Sequence, residues 1–240
     1  MFLKDFDSLP QQFRNNQVRD VYKKLKKRKI SRILKRAFDL VASFIILIIL
    51  LIPMGIIALA IKADSKGNVI FCQTRVTTFG REFKIYKFRT MVANAESLGA
   101  QVTTDGDVRI TKVGRFLRKY RLDEFPQLIN ILKGDMSFVG TRPEVPKYVS
   151  AYTPEMYATL LLPAGITSLA SIRYKDEERL ISASSDADKT YIEEILPEKM
   201  KYNLEYLENF SFFGDIKLMF MTFFAVITPE NEDTGVEING

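Results

Sequence analysis

The sequence predicts an α+β fold, mainly helical with a small β-hairpin or sheet, built around a membrane-embedded helix near the N-terminus. Three observations predict it. No residue from 40 to 61 carries a charge, and about 20 apolar residues suffice to cross a bilayer. Helical spacing recurs on both sides of that run, at Val18, Val21, Tyr22 and Leu25 and again at Phe125, Leu128, Ile129 and Leu132. Strand-like segments are few and short, at residues 69–71 and 83–88, with Phe79, Gly80 and Arg81 as a hairpin loop between them.

Length and composition narrow the function classes. A chain of 240 residues has room for one ordinary core with attachments. The net charge of +6 suits nucleic acid, an anionic membrane or a phosphate-rich substrate, so the placement of the basic residues must decide. Cys72 is the only cysteine, which excludes an intrachain disulfide and a cysteine-rich zinc site and points to a reducing compartment. The absence of histidine removes Ser-His-Asp and Cys-His nucleophile systems together with histidine metal sites. Carboxylates with a hard cation such as magnesium are the simplest catalytic inventory left.

Residues 1–36 form a basic amphipathic arm. Lys23, Lys24, Lys26, Lys27, Arg28, Lys29, Arg32, Lys35 and Arg36 follow one another with no acid among them. Interleaved apolar residues suit a helix lying on anionic membrane lipid, and beside an apolar segment that partner is favoured over nucleic acid. Residues 37–62 form the membrane segment. Lys62, Lys66, Arg75, Arg81, Lys84, Lys87 and Arg89 follow it, so both flanks carry the charge typical of the cytoplasmic side. Pro53 supplies a place to bend. Charge and proline leave two forms open, a kinked spanning helix and a re-entrant hairpin.

Residues 63–228 read as the catalytic domain. Residues 64–68 are a turn and residues 91–100 a helix. Asp105, Gly106 and Asp107 are a turn by composition, although an Asp-x-Asp pair also suggests the metal site of nucleotide-sugar glycosyltransferases. Arg109, Lys112, Arg115, Arg118, Lys119 and Arg121 then precede two carboxylates without an intervening acid, while Val113, Phe116 and Leu117 are expected to pack inward. That stretch is either a solvated basic face or an anion site. Asp123 falls at or beside the N-cap of the helix that carries Pro126 in its first turn and ends at Gly134. The helix end would keep Asp123 ionised, either as a cap or as a nucleophile or metal ligand. Residues 210–227 suit an interfacial helix or a buried one, and residues 229–240 form an acidic tail expected to be disordered.

The string from Arg118 through Asp123, Glu124, Pro126, Gly134, Asp135 and Gly140 to Arg142, Pro143 and Pro146 resembles the bacterial polyprenyl-phosphate sugar-1-phosphate transferases, or monotopic phosphoglycosyl transferases, in their minimal catalytic form. The resemblance covers roughly residues 35 to 175 and is highly specific. It departs from the family pattern at Ile52, where serine often precedes the proline, at Thr141, and across residues 164–170. Arg173, Tyr174 and Lys175 receive no role.

The resemblance implies a re-entrant membrane helix with the enzyme on the cytoplasmic face of the bacterial inner membrane. It implies transfer of a sugar 1-phosphate from a UDP-sugar to polyprenyl (undecaprenyl) phosphate, through a phosphosugar-aspartyl intermediate and with release of UMP, as a first membrane step of polysaccharide or glycoconjugate synthesis. Asp123 is then the nucleophile and Glu124 a magnesium ligand. Arg118 and Arg142 match family arginines that bind phosphate, while Lys87 and Arg89 are either further substrate-binding candidates or ordinary strand-surface charges. Self-association is left open. The rival readings are an Asp-x-Asp glycosyltransferase that releases UDP and a non-enzymatic membrane scaffold.

Overall fold

The computed structural model describes residues 3–95, 107–174, 180–181, 184 and 186–227. The acidic tail, Asp105, Gly106, Lys175 and residues 96–100 of the expected helix lie outside them. At residue 91 that expectation fails, because Met91 forms an isolated antiparallel bridge with Ile110.

Helix α1 spans Asn16–Lys27. Asn15 caps it, accepting a hydrogen bond from the Val18 amide at 2.9 Å, and donates to the Pro154 carbonyl at 3.0 Å, which ties the cap to the domain. The stripe Val18, Val21, Tyr22 and Leu25 is buried in the main core with Leu9 and Phe13. This corrects the reading of the arm as a helix resting on lipid for α1 alone: the apolar face of α1 is consumed by protein, whereas Ile30, Ile33 and Leu34 further along the arm stay exposed.

After an elbow at Arg28, α2 runs from Lys29 to Asp64 and is uninterrupted at Pro53. Its 36 residues correspond to about 54 Å of helix. One stripe faces the domain: Lys35, Asp39 and Ser43 are buried, Ile46, Leu47 and Leu50 pack on one apolar cluster, and Met54, Ile57, Ala58 and Ile61 join another. Both halves, before and after Pro53, therefore sit on the same body. The opposite face exposes Val41, Phe44, Ile48, Ile49, Ile52, Ile56 and Leu59. Only 6 % of its most apolar window is buried, which distinguishes it from the core helix of a soluble protein.

Strands β1 (Ile70–Val76) and β2 (Glu82–Phe88) pair antiparallel, from Ile70 opposite Phe88 to Val76 opposite Glu82. The predicted hairpin is present, with its first strand longer than expected. Helix α3 (Lys112–Lys119) buries Leu117 but leaves Phe116 exposed, with its ring 5.0 Å from that of Tyr120. That reverses the expectation for Phe116.

Helix α4 (Gln127–Lys133) ends at Gly134, whose φ of 84° is the left-handed C-cap a side chain would resist. Strand β3 (Met136–Val139) then pairs parallel with β4 (Ala164–Thr167), joined by α5 (Pro146–Val149) and a short 3-10 helix at Met156–Leu161.

Helices α6 (Leu169–Arg173), α7 (Ala187–Thr190) and α8 (Leu196–Glu208), with a π turn at Tyr191–Ile195 between the last two, close the main core. Helix α9 (Phe212–Ile227) is neither wholly buried nor wholly exposed. Asp215 is buried and bonded to Lys35 of α2 at 2.6 Å, while Phe213, Phe220, Phe223 and Phe224 are exposed. An internal charge that interrupted the apolar pattern is thus an anchor between α9 and α2.

Candidate active site

Asp123 and Glu124 lie in a 3-10 turn, Leu122–Glu124, one turn before α4. Arg121 enters it in the left-handed region at φ 53°, a strained conformation for a residue with a side chain and one that concentrates at functional sites. Neither this turn nor α4 has a side-chain cap, because their N-cap positions are Arg121 and Pro126. Of the two readings left open for Asp123, a cap or a chemical group, the side-chain cap is absent.

The turn is held against β2 by Asn130. Its Oδ1 accepts from the Tyr86 amide at 3.0 Å and its Nδ2 donates to the Lys84 carbonyl at 2.8 Å, so the side chain acts as a short third strand on the hairpin edge. Lys87 follows on the same strand. The buried face of α4 is accordingly Gln127, Leu128, Asn130 and Ile131, whereas Ile129, expected inside, is exposed. Periodicity favours apolar residues, but here α4 is wedged between β2 and α2 and the hairpin edge requires a polar partner.

Four of the six candidate residues converge. Lys87 Nζ lies 2.9 Å from Glu124 Oε1 and 3.8 Å from Asp123 Oδ2, and Arg142 Nη2 donates to the same Glu124 oxygen at 2.8 Å. Burial works to raise the Glu124 pKa, but Arg142 and Lys87 outweigh it and hold the carboxyl well below the usual range. For Asp123 burial prevails and pushes its pKa up, opposed by the positive charge of Lys87. Burial likewise lowers Lys87, against the pull of Glu124. Two adjacent carboxylates thus titrate in opposite directions, a pattern that accompanies distinct chemical roles.

Arg118 on α3 is placed through Thr90, whose Oγ1 accepts from its Nε at 2.9 Å, and its charge contributes at Asp123. Gly114 makes that packing feasible, since a Cβ there would meet the Thr90 carbonyl oxygen at 2.0 Å.

Arg89 is a correction. It is buried away from the carboxylates and binds the end of α2 and the turn after it, donating to the carbonyls of Lys66 at 2.6 Å and Ser65 at 2.7 Å and to Ser65 Oγ at 2.9 Å. A cation at a helix C-terminus neutralises the negative end of its dipole. Asp107 is engaged by Arg109 at 2.6 Å, and Arg173 turns outward to Glu205 at 3.0 Å.

Residues that sequence reasoning missed support the site from behind. Arg75 donates to the Pro143 carbonyl at 3.0 Å and to Gln73 Oε1, clamping the loop that carries Arg142. Glu144 accepts from Tyr191 Oη at 2.6 Å, and Lys199 donates to the same hydroxyl at 2.8 Å. A lone arginine inside an otherwise strand-like run, and an asparagine inside a buried helix, were the available signals.

Among the described residues no group of three acidic or cysteine side chains could hold a metal ion, so these residues by themselves build no metal cage. The Asp123–Glu124 pair nevertheless fits magnesium, which binds through one or two carboxylates and completes its octahedron with phosphate oxygens and water.

Comparison with known proteins gives a consistent outcome. The family model described as "Bacterial sugar transferase" matches residues 30–229. A UDP-N-acetylgalactosamine-undecaprenyl-phosphate N-acetylgalactosaminephosphotransferase of Aeromonas hydrophila is 38% identical over 199 residues, 81% of this chain and 44% of the relative. A UDP-glucose:undecaprenyl-phosphate glucose-1-phosphate transferase of Escherichia coli (strain K12) is 36% identical over 199 residues, covering 81% and 40%. A protein of the same description from Caulobacter vibrioides is 34% identical over 200 residues, covering 82% and 71%. The chain thus spans less than half the length of the first two of these relatives.

Proposed function

The chain belongs to the bacterial sugar transferase family, and from that premise we propose that it moves a sugar 1-phosphate from a UDP-sugar to undecaprenyl phosphate. The observation that carries this reading is the buried Asp123–Glu124 pair with Lys87 and Arg142 bonded or close to it. Phosphoryl transfer needs positioning and charge neutralisation more than proton transfer. A site with carboxylates, lysine and arginines and no histidine can supply both.

In the first half-reaction an Asp123 oxygen attacks the phosphorus that bears the sugar. An aspartyl O–P bond forms, the bond from that phosphorus to the oxygen bridging it to the uridine phosphate breaks, and UMP leaves with the electron pair. In the second, an oxygen of undecaprenyl phosphate attacks the same phosphorus. The aspartyl O–P bond breaks, Asp123 returns as a carboxylate, and the sugar leaves on a diphosphate bridge. Partial desolvation of Asp123 removes water that would otherwise blunt it as a nucleophile.

Glu124 stays ionised under Lys87 and Arg142 and is the residue that, with the substrate phosphates, would hold magnesium. When bound, the ion supplies charge neutralisation at the diphosphate. Arg142 and Arg118 offer planar guanidinium groups suited to phosphate oxygens. Lys87 places a positive charge between the two carboxylates.

The same reading has α2 embedded from the cytoplasmic face of the inner membrane, lying along the domain as one helix through Pro53 without the hairpin reversal expected there. A spanning helix would leave its ends on opposite sides of a hydrocarbon core about 30 Å thick, whereas Lys35 and Arg36 near one end and Ile61 and Asp64 at the other contact a single domain. The exposed phenylalanines of α9 extend the lipid-facing surface.

The test offers purified protein a panel of UDP-sugars with undecaprenyl phosphate and magnesium and measures UMP. The relatives' names carry more than one sugar, so the donor is read from the panel. UDP in place of UMP would indicate an ordinary glycosyltransferase, and no nucleotide release from any sugar would sink the proposal. Chelation should abolish UMP release and added magnesium restore it.

A further inference from the structure

At the far end of α4 from Asp123 lies an open groove of about 670 Å³ lined by Lys4, Arg36, Phe79, Arg81 and Gly134 among others. The seven residues of α4 hold it about 10 Å or more from the carboxylate pair, so it is a separate feature. Its walls are basic. Arg36 donates to the Ile131 and Leu132 carbonyls at 2.7 and 3.1 Å, which fixes its guanidinium at the end of α4. Arg81 binds Asp135 at 2.9 Å, Lys133 stands 3.8 Å from that carboxylate, and Lys4 lies over the Phe79 ring at 5.2 Å. Asp135 is the one acid paired with this group among the described residues, so the cations outnumber it.

Phe79 takes φ 61° within the hairpin turn, an uncommon conformation for a bulky side chain. It keeps a ring beside Lys4 and in the groove wall. Arg36 also stands one helical turn before Leu40 and Val41, the first exposed apolar residues of the charge-free run. A ligand whose anionic group entered the groove would leave any attached apolar chains against the outward face of α2.

We propose that this groove binds the phosphodiester headgroup of an acidic glycerophospholipid, distinct from the reacting undecaprenyl phosphate. The inference rests on the reading of α2 as membrane-inserted. Its cations Lys4, Arg36 and Arg81 are complementary to a phosphate diester, and it stands one helical turn before the first exposed apolar residues of α2, where a headgroup would meet the apolar segment.

The test uses the full chain in neutral detergent, titrated with dioctanoyl phosphatidylglycerol, dioctanoyl phosphatidylcholine or inorganic phosphate and read by native mass spectrometry. Wild type should hold the phosphatidylglycerol adduct with about tenfold or greater preference over phosphatidylcholine. Lys4→Glu/Arg81→Glu should erase that preference, while Lys27→Glu/Lys29→Glu, an equal reversal at the exposed elbow, should keep it. Should the groove variant unfold, Lys4→Gln/Arg81→Gln replaces it with the same expectation.

Retention of the preference in the groove variant, or equal loss in the elbow variant, overturns the proposal. Displacement of the lipid by an equal concentration of inorganic phosphate overturns it in favour of a free-phosphate site. UMP release measured on the same samples separates the two readings, because a lipid adduct without UMP counts against the transferase and not against the groove.

Discussion

Lys87 Nζ stands 3.8 Å from Asp123 Oδ2, close enough for its charge to act and too far for a hydrogen bond. The Asp123 pKa is raised by burial and restrained by that charge. A nucleophilic carboxylate must be ionised, so activity should fall as pH drops through this raised pKa. Replacing Lys87 by Met removes the restraint and moves the acid limb of the kcat/KM profile to higher pH, with a loss of about 10² in rate. A limb that stays in place would leave Lys87 no electrostatic part at Asp123.

Asp123→Asn should abolish UMP release without lowering the melting temperature. The carboxylate caps no helix, and burying its charge is unfavourable at neutral pH, so the amide should melt equal to or a few degrees above wild type. Calorimetry beside a turnover assay reads both. A marked drop in melting temperature would return Asp123 to a structural role.

Arg89→Met should act on stability. Its guanidinium satisfies carbonyls at the end of α2, and their loss should cost about 2–4 kcal/mol. Denaturant unfolding measures that cost. KM for the UDP-sugar should stay within about twofold in the folded fraction, as expected for a change that removes no contact to substrate.

Lys35 and Asp215 form a buried pair at 2.6 Å, with Tyr206 donating to Asp215 at 2.9 Å and Lys35 to the Val139 carbonyl at 2.7 Å. Lys35→Met alone should destabilise by about 3–5 kcal/mol, because it strands a carboxylate. Lys35→Met with Asp215→Leu should recover most of that loss. A double variant no better than the single one would count against the pair as the anchor of α9 on α2.

Asn130→Leu keeps the size of the side chain and leaves the Tyr86 amide and Lys84 carbonyl without their partner. Stability should fall by about 2–4 kcal/mol. Because Lys87 follows Tyr86, kcat should fall more than KM rises, in single-turnover measurement of UMP.

Much of the fold was legible because its signals are local. The β1–β2 hairpin followed from alternation around Phe79 and Gly80, α4 from Pro126 and Gly134, and the apolar helix from the absence of charge over residues 40–61. The carboxylate pair stood out through the basic stretch before it, and Arg142 was named from the motif, whereas Lys87 read equally well as a strand-surface charge. The apolar stripe of α1 was legible too, but its destination was not, since membrane and protein core present the same apolar surface to a helix. Asn130 and Arg75 were not legible, because a polar residue in a packed element is explained only by the backbone group it meets.

The sequence by itself determined where the chain would be apolar, where it would turn, and that Asp123 and Glu124 would share one short segment, since these follow from spacing along a single element. Tertiary structure alone decided which cations reach them. Lys87 and Arg142 meet Glu124 across the fold while Arg89 is taken by the end of α2, and Asp215 pairs with a lysine 180 positions away. It also decided the protonation balance, because desolvation depends on everything packed around a group, and that turned Asp123 from the helix-stabilised anion expected into a buried carboxylate whose pKa burial raises and Lys87 restrains.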